Sequence, residues 1–145
     1  GLMAAFQAEP FFHLPSPKST GRDLFNAEWL HNHVARFDAV SAQDVQATLA
    51  ELSAWAVAYA MEGSVAARVI VCGGGVRNGD LMERLRAQMP QRTLEASDAW
   101  GLPAQQVEAC AFAWLARQHD QGLMASNPEV TGARGARVLG ARYPA

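Results

Sequence analysis

The sequence predicts an α/β domain in which helices pack on a mostly parallel sheet, and three observations carry that reading. Val69, Ile70, Val71 and Cys72 form a continuous apolar run of β-branched and small residues. A strand buried on both faces of a parallel sheet has this character. Gly73, Gly74 and Gly75 follow at once, and Asn78 then stands where a helix N-cap belongs, ahead of an apolar stripe of Leu81, Met82, Leu85 and Met89. Helix-like and strand-like segments alternate on either side, the order that gives parallel pairing and right-handed crossovers. Strand, Cβ-free turn and capped helix together make the nucleotide-site layout at the carboxyl edge of such a sheet.

Taken in order, the chain opens on Gly1-Leu2-Met3-Ala4-Ala5-Phe6, with no Met at position 1 and an apolar pattern already under way. This reads as the end of a helix that began earlier, so the chain is expected to be a segment of a longer protein. Leu2, Met3 and Phe6 give one apolar turn, which Pro10 closes. Phe11, Phe12, Leu14, Pro15 and Pro17 make residues 9–17 an irregular loop pinned by aromatic side chains. Thr20 and Asp23 have capping-box spacing, which predicts a helix from near Gly21 with Leu24, Phe25, Trp29, Leu30 and Val34 on its buried face. Ser41 and Asp44 form a second capping box. Val45, Leu49, Leu52, Ala56 and Tyr59 then recur at helical spacing until Gly63, with Trp55 and Met61 widening the apolar face.

After the central strand and glycine turn, a helix is expected from about Gly79 to Met89, where Asp80 and Glu83 favour its positive end. Pro90 ends it, and residues 92–95 form a second short strand. Residues 97–102 are a loop of turn formers. Pro103 is placed as the first residue of a last long helix, a position that suits proline, with a core stripe of Val107, Cys110, Ala111, Trp114 and Leu115. The tail from Gly122 to Ala145 reads as a packed surface segment of undetermined structure. The organisation is thus an N-terminal loop and connecting helix over residues 1–42, followed by a nucleotide-side α/β subdomain over residues 43–145.

Composition narrows the function. The chain has 145 residues, half of them hydrophobic and 18% charged, enough for one ordered domain that buries about 70% of its unfolded surface. Net charge is −2, and the basic residues are spread out, so neither nucleic acid nor an anionic membrane is indicated. No signal peptide and no bilayer-length apolar run is visible, so the cytoplasm is the expected compartment. Cys72 and Cys110 each lie in an apolar run and read as buried free thiols.

Candidate chemistry concentrates at the glycine turn. No metal site is expected: His31 and His33 should point apart on their helix, and neither cysteine has ligand spacing. Lys18-Ser19-Thr20 offers either a phosphate contact or a capped helix start with a solvated lysine; no glycine-rich loop or strand precedes it, so it is not a Walker A motif. His119 reads as a surface residue near a helix C-terminus. Glu108 falls beside Ala104, Ala111, Phe112 and Leu115 on a helical wheel. A carboxylate in an apolar arc is either paired, protonated or reaching into a cleft, or else sits at the edge and snorkels to water. Gly73 and Gly75 also match the first two glycines of a dinucleotide fingerprint, with Glu95 at the ribose-acid position but Asn78 in place of the third glycine. A dinucleotide-binding module of an oxidoreductase is therefore the rival to a nucleotide site of another kind, and a non-catalytic interaction domain is the third reading.

Several segments resemble, in order, the C-terminal part of the anhydro-N-acetylmuramic acid kinases. They are Pro17-Lys18-Ser19-Thr20-Gly21-Arg22-Asp23 with Phe25-Asn26; Asp44-Val45-Gln46-Ala47-Thr48-Leu49; Cys72-Gly73-Gly74-Gly75 with Asn78; Glu108-Ala109 with Ala111-Phe112-Ala113-Trp114-Leu115-Ala116; and Val130-Thr131-Gly132-Ala133 with Val138-Leu139-Gly140. The resemblance implies the C-terminal part of an RNase H-like, actin-type ATPase domain. It implies a bacterial murein-recycling enzyme that uses ATP and Mg²⁺, opens the 1,6-anhydro ring of anhydro-N-acetylmuramic acid with water, phosphorylates the sugar at O6 and forms a homodimer. By the same resemblance Gly73, Gly74, Gly75 and Asn78 belong to the adenosine motif, and Glu108 faces the cleft near sugar or attacking water. The phosphate loop and aspartate base are expected upstream of Gly1, leaving this segment by itself with half an ATP site and little or no catalysis.

Overall fold

A computed structural model describes residues 1–143; Pro144 and Ala145, the end of the predicted tail, lie outside the described residues. Among those residues the chain forms α1 (Leu2–Gln7), α2 (Pro10–His13), α3 (Ala27–Val34), α4 (Ala42–Ala60), β1 (Arg68–Val71), α5 (Gly79–Gln88), β2 (Thr93–Ala96), α6 (Val107–Asp120) and α7 (Pro128–Thr131), with 3₁₀ turns at Gly74–Arg77, Ser97–Trp100 and Ala104–Gln106. The strands pair in parallel, Arg68 opposite Thr93 and Val71 opposite Ala96. The α/β alternation and the parallel crossover through α5 are as the sequence implied. No described helix is long and apolar enough to cross a membrane.

Helix ends are where local chemistry acts most directly. The Ser41 hydroxyl accepts from the Asp44 N–H at 3.1 Å and donates to the Asp44 carboxylate at 2.7 Å, so the predicted capping box starts α4. Asn78 caps α5 by accepting from the Leu81 N–H at 3.1 Å. Three boundaries differ from expectation. Residues 9–17 are not wholly irregular, because Glu9 caps a short α2 with Pro10 at its first position. The helix expected from Gly21 starts instead at Ala27: residues 21–25 form a hydrogen-bonded turn, and Asn26 takes the capping role by accepting from the Trp29 N–H at 2.9 Å. Pro103 does not open α6; a 3₁₀ turn intervenes, and α6 begins at Val107.

Two apolar clusters hold the molecule, and α4 contributes to both. On one side Leu2, Phe6, Phe12 and Leu52 are buried, with Trp29, Phe25, Leu49 and Trp55 packed around them. Phe6 stacks on Trp29 at 5.0 Å and Phe12 stands edge-on to Trp55 at 5.2 Å, geometries that suit aromatic quadrupoles. This cluster joins residues from both sides of the 42/43 boundary. On the other side Ala54 of α4 meets Met82 and Leu85 of α5, and Met89 just after it, over Val69, Val71 and Leu94 of the sheet. The predicted stripe on α5 is therefore the core of the α/β part, and α4 and α5 both lie toward the Val69/Val71 face.

Two burial expectations fail. β1 is covered on one face only: Ile70 is 48% exposed. The predicted core stripe of α6 is only partly covered: Val107 and Leu115 are half-buried, while Cys110, Ala111 and Trp114 are exposed, Trp114 at 49%. Apolar periodicity reports that a face wants cover; which neighbour supplies it is a tertiary matter, and on α6 the described tail residues reach only the C-terminal part, beside Leu115 and His119. Cys72 and Cys110 are free, as read, but exposed rather than buried.

Candidate functional site

The candidate site grows from the end of β1. The chain leaves Val71 through Cys72 and turns at Gly73, whose φ of 80° and ψ of −171° lie in a region essentially confined to glycine. The 3₁₀ turn Gly74–Arg77 follows and delivers the chain to Asn78 and α5. The first N–H groups of such a turn have no partner within it, and those of Gly74 and Gly75 make no hydrogen bond to other described residues. A Cβ built on Gly73 or Gly74 would meet nothing within 4 Å, whereas one on Gly75 would lie 3.4 Å from Leu81 Cδ2. The bare backbone of Gly73 and Gly74 therefore borders open space, while Gly75 faces the Leu81 side chain of α5 at contact distance.

Parallel pairing brings the end of β2 to the same sheet edge, and the segment that follows closes on the glycine turn. The Gly73 N–H donates to the Ala104 carbonyl at 2.8 Å, and Gln105 Nε2 donates to the Gly73 carbonyl at 2.9 Å. Asp98 steadies this contact by accepting from the Ala104 N–H at 3.2 Å, and Ala104 itself is buried. Ser97, the first residue after β2, is also buried, and its hydroxyl has no hydrogen-bond partner. Reading along the chain did not reveal Gln105, Ala104 or Asp98. The available signal was an Asp ahead of Pro103, a side chain able to accept from backbone that proline leaves unpaired.

The other singled-out residues are placed as follows. Glu108 lies in the first turn of α6, directly after the turn that carries Gln105; it is exposed and, among the described residues, makes no ion pair or hydrogen bond. Of the sequence alternatives, the paired state is excluded in this arrangement, and the carboxylate is accessible. Glu95 is engaged: it accepts from Trp100 Nε1 at 2.9 Å and lies 3.4 Å from Arg68 Nε, whose guanidinium stacks on Trp100. Lys18 is neither solvated nor poised for phosphate. Its ammonium donates to the carbonyls of Phe11 and Phe12 at 3.1 and 2.5 Å, closing the C-terminal end of α2. His33 turns inward onto Trp29, with Nδ1 2.9 Å from the Trp29 carbonyl, while His31 is exposed. His119 is half-buried at the end of α6 with Nδ1 2.9 Å from the Leu139 carbonyl, so the tail folds over it. No three metal-ligating side chains converge among the described residues.

Electrostatics are quiet at the turn and concentrated behind it. Arg84 bridges α4 and α5, with Nη1 2.7 Å from Glu51 and Nε 2.9 Å from Asp80. Hydrogen bonds from Arg84 and then Gln88 hold the Glu51 carboxyl below the ordinary glutamate range, and hydrogen bonds to Asp80 and Glu51 raise Arg84 above its own.

The family model described as anhydro-N-acetylmuramic acid kinase matches residues 1–145, the whole chain. The chain belongs to the anhydro-N-acetylmuramic acid kinase family. Among similar proteins, anhydro-N-acetylmuramic acid kinase from Pseudomonas putida is 49% identical over 149 residues, covering 100% of the chain and 40% of the relative. The Variovorax paradoxus protein of the same name is 53% identical, over 100% of the chain and 39% of the relative. The one from Bordetella pertussis is 55% identical, over 95% and 37%. The chain thus spans about two fifths of the length of the curated relatives it matches. Its fold class follows the family, the sugar kinase and actin-like ATPase fold. Membership of the anhydro-N-acetylmuramic acid kinase family, with Glu95 already held by Arg68 and Trp100, leaves the dinucleotide-fingerprint reading without support.

Proposed function

We propose that this chain is the nucleotide-side, C-terminal portion of an ATP-dependent kinase that opens the 1,6-anhydro ring of anhydro-N-acetylmuramic acid with water and phosphorylates the sugar at O6. The observation that carries the reading is the open backbone of Gly73 and Gly74 at the end of β1, where no Cβ stands between main chain and an approaching flat group. In this proposal Gly73, Gly74 and Gly75 form the surface on which adenosine rests, and Asn78 fixes the start of α5 so that the turn keeps its shape. ATP, accompanied by Mg²⁺ on its phosphates, supplies the phosphoryl group. Glu108, accessible at the start of α6, faces the sugar side and hydrogen-bonds a sugar hydroxyl or the attacking water. The phosphate loop and the general base belong to a part of the kinase that this chain does not contain, so this segment assayed by itself should show no turnover. The complete enzyme works as a homodimer in this reading.

The test uses a full-length family member carrying this segment. With ATP, Mg²⁺ and the anhydro-sugar it should release ADP in step with a sugar 6-phosphate detected by mass spectrometry, and Glu108→Gln should lower kcat/KM for the sugar more than for ATP. A full-length protein that binds NADH and not ATP, or that binds ATP and never turns over the anhydro-sugar, overturns the proposal.

A further inference from the structure

We propose that Gln105 is a positioning residue that ties the glycine turn to the helix bearing Glu108, so that nucleotide contact on one is transmitted to the sugar side on the other. The inference rests on the kinase reading and adds a residue which that reading does not need. Its ground is a closed hydrogen-bonded circuit. The Gly73 peptide is gripped on both of its polar atoms by one short segment, its N–H by the Ala104 carbonyl at 2.8 Å and its carbonyl by Gln105 Nε2 at 2.9 Å. That segment, Ala104–Gln106, runs without interruption into α6, whose first turn carries Glu108.

The two bonds differ in what they depend on. The Ala104 bond is made by main chain and does not depend on the side chain at 105. The Gln105 bond is made by an exposed side chain reaching back to an unusual backbone conformation. Gly73 is the one residue of the turn whose conformation is both glycine-specific and held from outside the turn. A displacement of Gly73 by a ligand seated on Gly74 is therefore passed to Gln105 and on to the start of α6. The start of α6 packs on its own preceding turn, and its far end is met by the tail, where His119 Nδ1 lies 2.9 Å from the Leu139 carbonyl. The N-terminal end of a helix that continues a segment doubly hydrogen-bonded to the turn moves with that turn, which is what transmission requires.

Gln105→Glu keeps the side chain's shape and removes the donor, and because the residue is exposed the fold should be unaffected. In a full-length family member carrying this segment, the expected result is a five- to tenfold rise in the KM for ATP, a comparable rise in the KM for the anhydro-sugar at saturating ATP, and an unchanged melting temperature. Gln105→Lys, which restores a donor of similar reach, should recover most of both. KM values for both substrates equal to wild type in Gln105→Glu overturn the role of Gln105 and leave the kinase reading standing. A parent enzyme that does not bind ATP overturns the kinase reading, and this inference with it. A fall in melting temperature together with unchanged KM values reduces Gln105 to a stabilising contact, which also overturns the inference.

Discussion

Substituting alanine in turn at Gly73 and Gly74 separates two reasons a glycine can be needed. At Gly73 an added Cβ meets nothing within 4 Å, so there is no collision to relieve. The backbone at φ 80°, ψ −171° is nonetheless one that L-residues avoid, at a cost of order 1–3 kcal/mol. Gly73→Ala should therefore destabilise by about 2 kcal/mol, roughly a thirtyfold change in the folded-to-unfolded ratio. Gly74 has no positive φ and the same open surroundings. Gly74→Ala should leave stability within about 0.5 kcal/mol of wild type, or raise it slightly through the unfolded chain. Its methyl would occupy the space proposed for adenosine, so the KM for ATP should rise about tenfold, equivalent to ~1.4 kcal/mol. The assays are urea unfolding and an ADP-release assay on a full-length family member carrying this segment. Wild-type stability in Gly73→Ala would refute the strain argument. An unchanged KM for ATP in Gly74→Ala would refute the claim that nucleotide rests on bare backbone.

Three further outcomes follow from other contacts. Glu51→Gln should cost no more than about 1 kcal/mol at neutral pH, because the pair with Arg84 is partly exposed. Since the folded-state Glu51 carboxyl titrates below its ordinary value, that contribution is present above the ordinary glutamate range near ~4.3 and disappears as the pH falls through the lower folded value; urea midpoints at pH 7 and pH 3 for both proteins check this. Arg92→Ala removes a guanidinium that donates to the carbonyls of Met61, Ser64 and Ala66. It should cost about 1–2 kcal/mol and speed amide exchange in the loop between α4 and β1 before any other region, as hydrogen-exchange mass spectrometry would read. Ser97→Ala deletes a buried hydroxyl with no partner and should be neutral or stabilising by up to about 1 kcal/mol; a loss above that would mean the hydroxyl is bonded.

The elements that could be read from sequence are those decided within a few residues. Ser41 and Asp44 start α4, and Asn78 starts α5, because a cap is a contact between neighbours three apart. The strand before the glycine triplet was legible from β-branched residues in a short run. Misplacements arose where two local signals competed. Thr20–Asp23 pointed to a start near Gly21, whereas Asn26 caps α3 and the residues before it form a turn in which Phe25 packs on Phe12, 5.5 Å away in ring centroids. Pro103 suited a first helical position, yet the Asp98 carboxylate draws Ala104 into a 3₁₀ turn first.

By itself, then, the order of residues determined where α4 and α5 begin, where the two strands lie, and that a side-chain-free bend follows the first of them, since each of these is settled by backbone sterics and near-neighbour hydrogen bonds. Only the folded molecule decided who fills the remaining valences: Lys18 on the carbonyls of α2, Glu95 on Arg68 and Trp100, and Gln105 on Gly73. Arg68 and Glu95, and Gln105 and Gly73, are far apart along the chain and meet only after packing has set the distance between them, and even the nearer pairs lie beyond the helical and capping spacings, so no local pattern encodes the pairing. The same is true of exposure. An apolar stripe such as that of α6 states the need for a neighbour, and only three-dimensional arrangement determines whether one is there.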